Sequence, residues 1–451
     1  MQIDFGINIK DLGDSLDNFW ELSTQKVKIL QDNFDSSKGA PVFTVEGKYT
    51  TRGWTEWTQG FQYGIPLLIF DATGKDEMLK IGKVNTIDKM AHHITHFGVH
   101  DHGFNNLSTY GNLLRMSRKG KIDSTDEEDD FYALAIKASG AVQASRWTDL
   151  KNGGYIYSFN GPHSLFIDTI RTCRILLMAH KLKHKMLIES DVAVDLLQRA
   201  VTHAVTSAKY AVYYGEGRDQ YDVSGRVAHE SIFNINDLKY RCSNSQQGFS
   251  GFTTWTRGLS WAMLGFTEIL EFLTIEQPKL ENKEEVESIL LKAAISTCDF
   301  YIENTSLDGV PYWDTGAPNL HKLGEYQKRK AQITNDFEPI DSSAAAIAGQ
   351  GLLRLGKILE KSDSQSSKKY IQAGLTVLNT LLGDDYLAKD KDHQGILKHS
   401  IYHYPNNWDY IPSGAKVPFN ESSMWGDYHM VEFCLTAQRL AEEHYTFFNG
   451  L

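Results

Sequence analysis

Apolar residues recur three and four positions apart along most of the 451-residue chain, and this spacing constrains the fold more strongly than any other sequence feature. Met263, Phe266, Leu270 and Leu273 form one such stripe, the pattern of a helix with a buried face. Alternating patterns that predict strands are few and short. The spacing predicts helices over 11–33, 75–92, 128–143, 164–183, 189–213, 255–275, 284–304, 341–360, 366–383 and 422–444. Little room is left for a large sheet, so an all-α protein is expected.

Composition describes a globular chain with a large core, because 41% of residues are hydrophobic and 23% are charged. No shift in composition marks a domain boundary, so residues 1–451 are expected to form a single domain. The chain has 46 Lys and Arg against 57 Asp and Glu, a net charge of -11. Without a basic run it lacks the surface that neutralises phosphates, which argues against nucleic acid as a partner. An anionic substrate still fits a local pocket of cations.

Features that the sequence lacks indicate where the protein is located. The first residues, MQIDFGINIKDLGDSLDNF, show no basic end followed by an apolar stretch, so no signal peptide is predicted. We find no 18-residue apolar run, and therefore expect no membrane span. The cysteines are far apart and form no CxxC pair: Cys173, Cys242, Cys298 and Cys434. A cytoplasmic location is expected, or a periplasmic one if an export signal has been trimmed.

Aromatic residues are unusually frequent in the connections between helices, whereas solvated linkers are normally poor in them. Several stand beside Gly, Asn, Asp or Arg and outside the helical stripes: Trp54, Trp57, Phe104, Trp255, Trp313 and Trp408. Sugars present apolar C–H faces and polar edges, so a sugar cleft needs flat aromatic rings beside fixed polar groups. Core packing is the alternative for any single ring, but the set favours a sugar cleft.

Two carboxylates are candidates for chemistry, and a pair of carboxylates is the usual equipment for glycosidic cleavage. Asp168 lies in the apolar stretch SLFIDTIRTCRILLMA, where it either caps a local turn or has its pKa raised by desolvation. Asp101 lies in GVHDHGFNN, where the following glycine allows a tight turn. A raised pKa would let Asp168 donate and accept a proton near neutral pH.

Arg257 is the candidate for recognising a substrate charge. It stands between Trp255 and Trp261 at the predicted start of a helix, where its charge opposes the helix macrodipole. An arginine flanked by indoles is suited to hold a carboxylate carried on a stacked ring. Asp341, at the start of DSSAAAIAGQGLL, is instead predicted to be a helix N-cap.

A metal site is the alternative for the histidine-rich segment. Five histidines lie within eleven residues: His92, His93, His96, His100 and His102. Positions 92, 96 and 100 have helical spacing, which can place imidazoles on one face as zinc requires. The segment lacks the Glu of HExxH and a cysteine pair, so a zinc hydrolase is the less favoured hypothesis.

Taken together, the motifs resemble those of the unsaturated glucuronyl hydrolases of glycoside hydrolase family 88. The matching segments follow in family order along most of the chain: EWTQGF (56–61), VHDHGF (99–104), FIDT (166–169), QQG (246–248), WTRGLSW (255–261), GVPYWD (309–314), DSSAAAIAGQGLL (341–353), GILKHS (395–400) and ESSMWGDYHMVE (421–432). The resemblance implies an (α/α)6 toroid, six helical hairpins in a ring with a cleft at one end.

The family's activity implies a glycosidase that removes a Δ4,5-unsaturated uronic acid from the non-reducing end of oligosaccharides left by polysaccharide lyases, without metal or organic cofactor. Asp168 is then the general acid/base and Asp101 the supporting carboxylate, which keeps Asp168 protonated through like-charge repulsion. The residues implied to contact substrate are Trp57, His100, Phe104, Gln246, Gln247, Arg257, Trp261 and Ser423.

The chain departs from the family pattern at three places. Gln246 stands where many relatives have His, Gln62 replaces an aromatic residue, and extra residues surround YHYPNNWDYIPSGAKV (402–417). The last segment is expected to reshape the subsite beyond the cut. Two alternatives remain beside zinc: the sibling family 105, which removes unsaturated galacturonate from rhamnose, and a catalytically silent sugar-binding protein. The sequence does not name the parent polysaccharide.

Overall fold

The computed structural model describes residues 1–53 and 56–440, and within them the chain is mainly helical. The helices are α1 Gly13–Asn33, α2 Gln59–Thr73, α3 Asp76–Lys89, α4 Ala91–Ile94, α5 His102–Asn106, α6 Asn112–Arg118, α7 Asp126–Ser145, α8 Thr169–Thr172, α9 Arg174–Lys181, α10 Leu196–Tyr210, α11 Thr256–Glu276, α12 Lys283–Asn304, α13 Ser342–Leu359, α14 Ser364–Leu381 and α15 Met424–Leu440. A π-helical turn, Leu107–Gly111, joins α5 to α6.

Six inner helical segments close a ring: α2, α5 with α6, α8 with α9, α11, α13 and α15. Each inner segment contacts the next, and α15 returns to contact α2. The outer layer consists of α1, α3, α7, α10, α12 and α14, each of which packs on an inner helix. Inner helices such as α11 are buried on every side because they are apolar all round. This is the predicted (α/α)6 toroid.

The strands are short and lie in the connections. They form three hairpins and one three-stranded sheet: β1 Phe43–Val45 with β2 Lys48–Thr50, β3 Trp147–Leu150 with β4 Gly153–Ile156, β6 Met186–Leu187 with β7 Ala193–Val194, and β5 Ser164–Phe166 with β8 Glu230–Asn234 and β9 Lys239–Asn244. All the pairings are antiparallel. In the three-stranded sheet, Phe166 pairs with Glu230, which brings the start of α8 next to His229.

The predicted helices omit two inner segments of the ring, and two of the predicted helices begin too early in the sequence. No helix was predicted at α2 or at 102–118, because these segments are buried on all sides and α2 contains Gly60, Gly64 and Pro66. The predicted helix 164–183 begins instead as β5, and 189–213 begins as a 3-10 turn followed by β7. Beyond Leu440, the predicted helix 422–444 lies outside the described residues.

Helix α11 alone among the described helices is long and apolar enough to cross a membrane. The sequence has no uninterrupted apolar run there, because the helix contains Arg257, Glu268 and Glu271. Within the fold, 89% of its most apolar window is buried, and it contacts α8, α12 and α13. Its apolar character is therefore explained by its place in the inner ring.

Candidate active site

A cavity of about 700 Å³ opens at the end of the ring where inner helices begin. Its walls include side chains at or just before the N-terminal ends of α2, α5, α8 and α11. The lining residues are Gly53, Trp57, His96, Gly98, Val99, His100, Asp101, Phe104, Phe159, Asp168, Gln246, Gln247, Trp255, Arg257, Trp261, Tyr402, His403, Asn406 and Trp408. Segments that are far apart in sequence thus converge on one concave space large enough for sugar rings.

Close backbone packing brings the two candidate carboxylates together. Asp101 precedes α5 and Asp168 precedes α8. Between these helices, a Cβ on Gly103 would lie 2.3 Å from the carbonyl oxygen of Thr172. Gly103 is therefore required for the contact between α5 and α8, and not for a tight turn as the sequence suggested.

His100 bridges the two carboxylates. Its Nε2 donates to Oδ1 of Asp168 at 3.3 Å and lies 3.9 Å from Oδ1 of Asp101. All three side chains are nearly buried, with His100 only 1% exposed. The cluster forms the most polar part of a largely aromatic cavity. It can hold a proton and transfer it between the two acids.

Burial and the bridging histidine shift the pKa values of Asp101 and Asp168 in opposite directions. Desolvation raises the pKa of Asp101 above its ordinary value. It also acts on Asp168, but the hydrogen bond and the positive charge of His100 outweigh it, so the pKa of Asp168 is lowered. Burial alone would lower the pKa of His100, but Asp101 and Asp168 raise it. The prediction that Asp168 has the raised pKa is therefore wrong, because the sequence did not show where His100 points.

His229 is a site residue that the sequence reading missed. Its Nδ1 accepts hydrogen bonds from the backbone N–H groups of Gln246 at 3.0 Å and Gln247 at 3.3 Å. Burial lowers its pKa to about 4, so the ring is neutral at pH 7 and carries its proton on Nε2. That buried Nε2 has no hydrogen-bond acceptor among the residues that the structure describes. His229 thus presents an unpaired donor beside Asp168, whose charge acts on it.

Arg257 lies at the cavity but its terminal nitrogens are engaged. Its guanidinium donates to Oδ2 of Asp341 at 3.1 Å, to the backbone carbonyls of Ile401 and Tyr402, and to Oε1 of Gln247 at 2.9 Å. It packs near the rings of Trp255 and Trp425, with distances of 4.6 and 4.9 Å to the ring centroids. These contacts assign it a positioning role. Recognition of a substrate carboxylate by Arg257 stays a prediction.

Asp341 is the predicted N-cap of α13 and also accepts a hydrogen bond from Arg257. Its Oδ1 accepts from the backbone N–H groups of Ser343 and Ala344, as expected of an N-cap. Its Oδ2 accepts from Arg257, which ties the starts of α11 and α13 together. The cap therefore also orients the arginine that holds Gln247.

Aromatic side chains line the cavity and its immediate surroundings, as the sequence predicted. Phe104 lies 5.9 Å from Trp57 and 5.0 Å from Trp261 between ring centroids, and Trp57 stacks on Trp425 at 5.2 Å. Trp255 and Trp408 also line the cavity. Trp313 belongs to the core, where its indole N–H donates to Glu338. Trp54 lies outside the described residues.

The segment 402–417 supplies one wall of the cavity, and its effect on the subsite beyond the cut stays a prediction. Tyr402, His403, Asn406 and Trp408 line the cavity. The carboxylate of Asp409 accepts from the backbone N–H groups of Tyr402 and His403, which fixes the turn. Trp408 packs against the rings of Tyr402 and His403, with 5.3 and 4.9 Å between the ring centroids.

Two residues singled out by the sequence lie away from the cavity. Ser423 is fully buried at the start of α15, and its hydroxyl accepts from the backbone N–H of Gly426. It is not among the described residues that line the cavity, and its contact with substrate stays a prediction. Gln62 lies on the opposite side of α2, beside Lys26 and Tyr63, so its replacement of an aromatic residue removes no wall of the cavity.

The histidine-rich segment does not form the helical face that a zinc site needs. Helix α4 ends at Ile94, so positions 92, 96 and 100 do not share one helix. His93 contacts the side chains of Gln59 and Asn105 through its two ring nitrogens. His102 contacts Ser139 and the carbonyl of His96 through its own. Among the described residues, no group of three potential ligands converges.

Comparisons with known proteins agree with this geometry. No family model matches the chain. The unsaturated glucuronyl hydrolase of Formosa agariphila is 26% identical over 391 residues, which cover 85% of this chain and 80% of the relative. That of Bacillus sp. GL1 is also 26% identical, over 400 residues covering 87% and 89%. The crystal structure of the Bacillus sp. GL1 enzyme superposes with a TM-score of 0.71 at 21% identity, covering 96% of this chain and 99% of the other. The chain is therefore similar to the unsaturated glucuronyl hydrolases along most of its length, and it has their fold.

Proposed function

We propose that this protein is a glycoside hydrolase that removes a Δ4,5-unsaturated uronic acid from the non-reducing end of lyase-generated oligosaccharides. The observation that carries the proposal is the cluster of Asp101, His100 and Asp168 on an aromatic-walled cavity. Two carboxyl groups of unequal pKa are what acid/base chemistry on a sugar requires. The similarity to named unsaturated glucuronyl hydrolases supports the same substrate class.

The double bond between carbons 4 and 5 determines the chemistry, because it makes the substrate a vinyl ether. Asp168 donates a proton to carbon 4, and the ring oxygen stabilises the cation that develops at carbon 5. Water adds to carbon 5 and its proton returns to Asp168. The hemiketal at carbon 5 opens to a ketone, and the hemiacetal left at carbon 1 then collapses and releases the remaining sugar as an alcohol.

Because the pKa of Asp168 is lowered, the first step requires that substrate binding move a proton toward it. The substrate brings a carboxylate and displaces water, and both changes favour the protonated form of a carboxyl group. His100 lies within hydrogen-bond distance of Asp168, and the two carboxyl groups raise the pKa of its imidazole. We therefore assign His100 as the source of the proton and Asp168 as the group that delivers it.

Solvent isotope labelling tests this scheme directly. The enzyme is incubated in D2O with an unsaturated disaccharide, and loss of the conjugated ultraviolet band is followed alongside product analysis by mass spectrometry and NMR. Hydration places one deuterium on carbon 4 of the released uronate. Direct attack at carbon 1 instead releases a uronate that still contains the double bond, so release of the sugar ahead of the loss of the ultraviolet band and of deuteration at carbon 4 would overturn the scheme.

A panel of substrates identifies the linkage. Unsaturated disaccharides from chondroitin, hyaluronan, heparin, ulvan, gellan and xanthan are compared with unsaturated galacturonyl-rhamnose. The proposal expects turnover of at least one glucuronyl substrate at a higher kcat/KM than the galacturonyl one. The reverse order would favour the sibling activity on the same fold.

A further inference from the structure

The last residue of the GVPYWD segment is a buried carboxylate that the reaction scheme does not use. Asp314 is fully buried and is not among the described residues that line the cavity. Its Oδ1 accepts from the backbone N–H of Gly316 at 2.8 Å. Its Oδ2 accepts from the backbone N–H of Phe249 at 2.8 Å and from the hydroxyl of Thr253 at 3.2 Å. A carboxylate is costly to bury, and these three hydrogen bonds offset that cost.

Two of the three donors belong to the loop that precedes α11. This loop, residues 245–253, follows β9 and carries Gln246 and Gln247 into the cavity wall. The backbone of Asp314 forms a single antiparallel bridge with that of Trp255, which places its carboxylate beside the loop. Asp314 therefore holds the middle of a loop whose first residues face the cavity.

The start of the same loop is bound to His229. The backbone N–H groups of Gln246 and Gln247 donate to its Nδ1, and these two donors keep the imidazole proton on Nε2. His229 lies close enough to Asp168 for the carboxylate charge to act on its ring. The side chain of Gln247 has a separate anchor, because its Oε1 accepts from Arg257 at 2.9 Å. A displaced loop backbone would therefore act on the tautomer of His229.

We propose that Asp314 is a positioning residue that fixes the 245–253 loop and, through it, the tautomer of His229 beside Asp168. The inference rests on the proposed function. Asp314 contacts neither the substrate nor the reacting atoms, and it acts through the two backbone N–H groups that the loop directs at His229. A histidine that donates from a defined nitrogen is a preorganised part of the site, whereas a mixture of tautomers is not.

A double-mutant cycle in the full chain tests whether Asp314 acts through His229. Activity on an unsaturated disaccharide is measured at pH 7.5, because burial raises the pKa of Asp314 to about 6 and lowers that of His229 to about 4. Asp314→Ala should lower kcat/KM about 10- to 100-fold, since small displacements beside the reacting atoms are costly. In a His229→Ala background the same change should cost less than about threefold. Losses that multiply would overturn the proposal.

A spectroscopic measurement examines the same step without activity. With 15N-labelled histidine, the signals of His229 are identified by their loss in His229→Ala. They should show a proton on Nε2 alone in the wild type and a mixture of tautomers in Asp314→Ala. An unchanged tautomer overturns the positioning role. A wild type that has the fixed tautomer but cleaves no unsaturated substrate overturns the proposed function and not the link between Asp314 and His229.

Asp308→Ala is the matched control, because its carboxylate also holds a connection through backbone N–H groups. Asp308 accepts from the N–H of Ala331 at 3.1 and 3.2 Å and is not among the described residues that line the cavity. Its loss should lower stability and leave both kcat/KM and the tautomer of His229 unchanged. If Asp314→Ala does not fold, Thr253→Val takes its place in both measurements. It removes only the hydroxyl that donates to Asp314, and a loss of about threefold is then expected.

Discussion

At the scale of single residues, the site depends on how three side chains share protons. Asp101, His100 and Asp168 are buried together, and their pKa shifts differ in sign although all three lose solvation. The hydrogen bond from His100 decides which carboxyl group remains ionised. The identity of these residues could be predicted from motifs, but the distribution of protons depends on a distance that a sequence does not contain.

Asp168→Asn should leave folding nearly intact and lower kcat by about 10²- to 10⁴-fold, the usual contribution of a positioned acid/base. Circular dichroism and the ultraviolet assay measure the two effects. Asp101→Asn should also reduce activity strongly and shift the pH optimum, because it removes a charge that raises the pKa of His100. An active Asp168→Asn enzyme would require a different proton donor.

His100→Gln should move the alkaline limb of the kcat/KM profile to lower pH. In the wild type, the raised pKa of His100 keeps a proton in the cluster to a pH above the ordinary value for histidine. That proton is lost as pH rises through the raised pKa, and activity falls with it. Without His100, the transferable proton must reside on a carboxyl group, which loses it at lower pH. An unshifted alkaline limb in an active variant would remove His100 from the proton path.

Prolonged chelation should leave activity unchanged, because the proposed steps need only a proton donor and a placed water. The ring nitrogens of His93 and His102 already contact protein atoms. His92→Ala should therefore alter stability at most. Metal analysis and activity after dialysis against a chelator check this. If chelation abolishes activity and added zinc restores it, the protein is a zinc hydrolase and not the proposed glycoside hydrolase.

At the scale of elements, short loops and helix ends bring the site together. The sequence singled out many residues that line the cavity, because they belong to motifs with aromatic or charged residues: Asp101, Asp168, His100, Trp57, Phe104, Gln246, Gln247, Arg257 and Trp261. It missed His229, which stands outside any distinctive pattern. His229 reaches the site through the pairing of β5 with β8, a long-range contact that periodicity does not reveal.

Sequence periodicity also fails to predict some helices, because it does not reveal long-range packing. Inner helices α2 and α11 are both buried on all sides, yet only α11 was predicted. The difference is local: α2 contains two glycines and a proline that disfavour a helix, and the packing of the ring outweighs that propensity. A larger residue does not fit at Gly60, because a Cβ there would lie 2.3 Å from the Cα of Asn105.

Arg257→Ala should lower activity on the uronate and on its methyl ester by similar factors. Its hydrogen bonds join α11 to Asp341, to the 401–402 backbone and to Gln247, so its removal displaces one wall of the cavity. A direct ion pair with the substrate would instead weaken only the reaction of the charged uronate, by roughly 2–5 kcal/mol. Comparison of kcat/KM for both substrates in both proteins distinguishes these roles. A loss confined to the uronate would assign the carboxylate to Arg257.

At the scale of the whole molecule, buried ion pairs join the inner ring away from the active site. Glu268 of α11 lies 3.1 Å from Arg171 of α8, 3.2 Å from Arg174 of α9 and 3.6 Å from Arg354 of α13. Arg171 also pairs with Glu432 of α15 at 2.7 Å. Four of the six inner segments are therefore connected by one charged cluster. Its members cannot be separated without leaving a buried charge unpaired.

At pH 8, above the pKa of about 7 to which burial raises Glu268, Glu268→Gln should lower the free energy of unfolding by about 3–5 kcal/mol, because it leaves the surrounding arginines buried with one counter-charge fewer. Urea denaturation followed by circular dichroism measures the loss. The matched control is Glu325→Gln, which breaks an exposed pair with Lys328 and should leave the free energy of unfolding almost unchanged, because water screens that pair. Glu268 follows Arg257 by eleven residues on α11, roughly 16 Å along the helix axis. The folded Glu268→Gln enzyme should thus keep near-normal kcat, and a variant as stable as the control would show that the cluster does not hold the ring together.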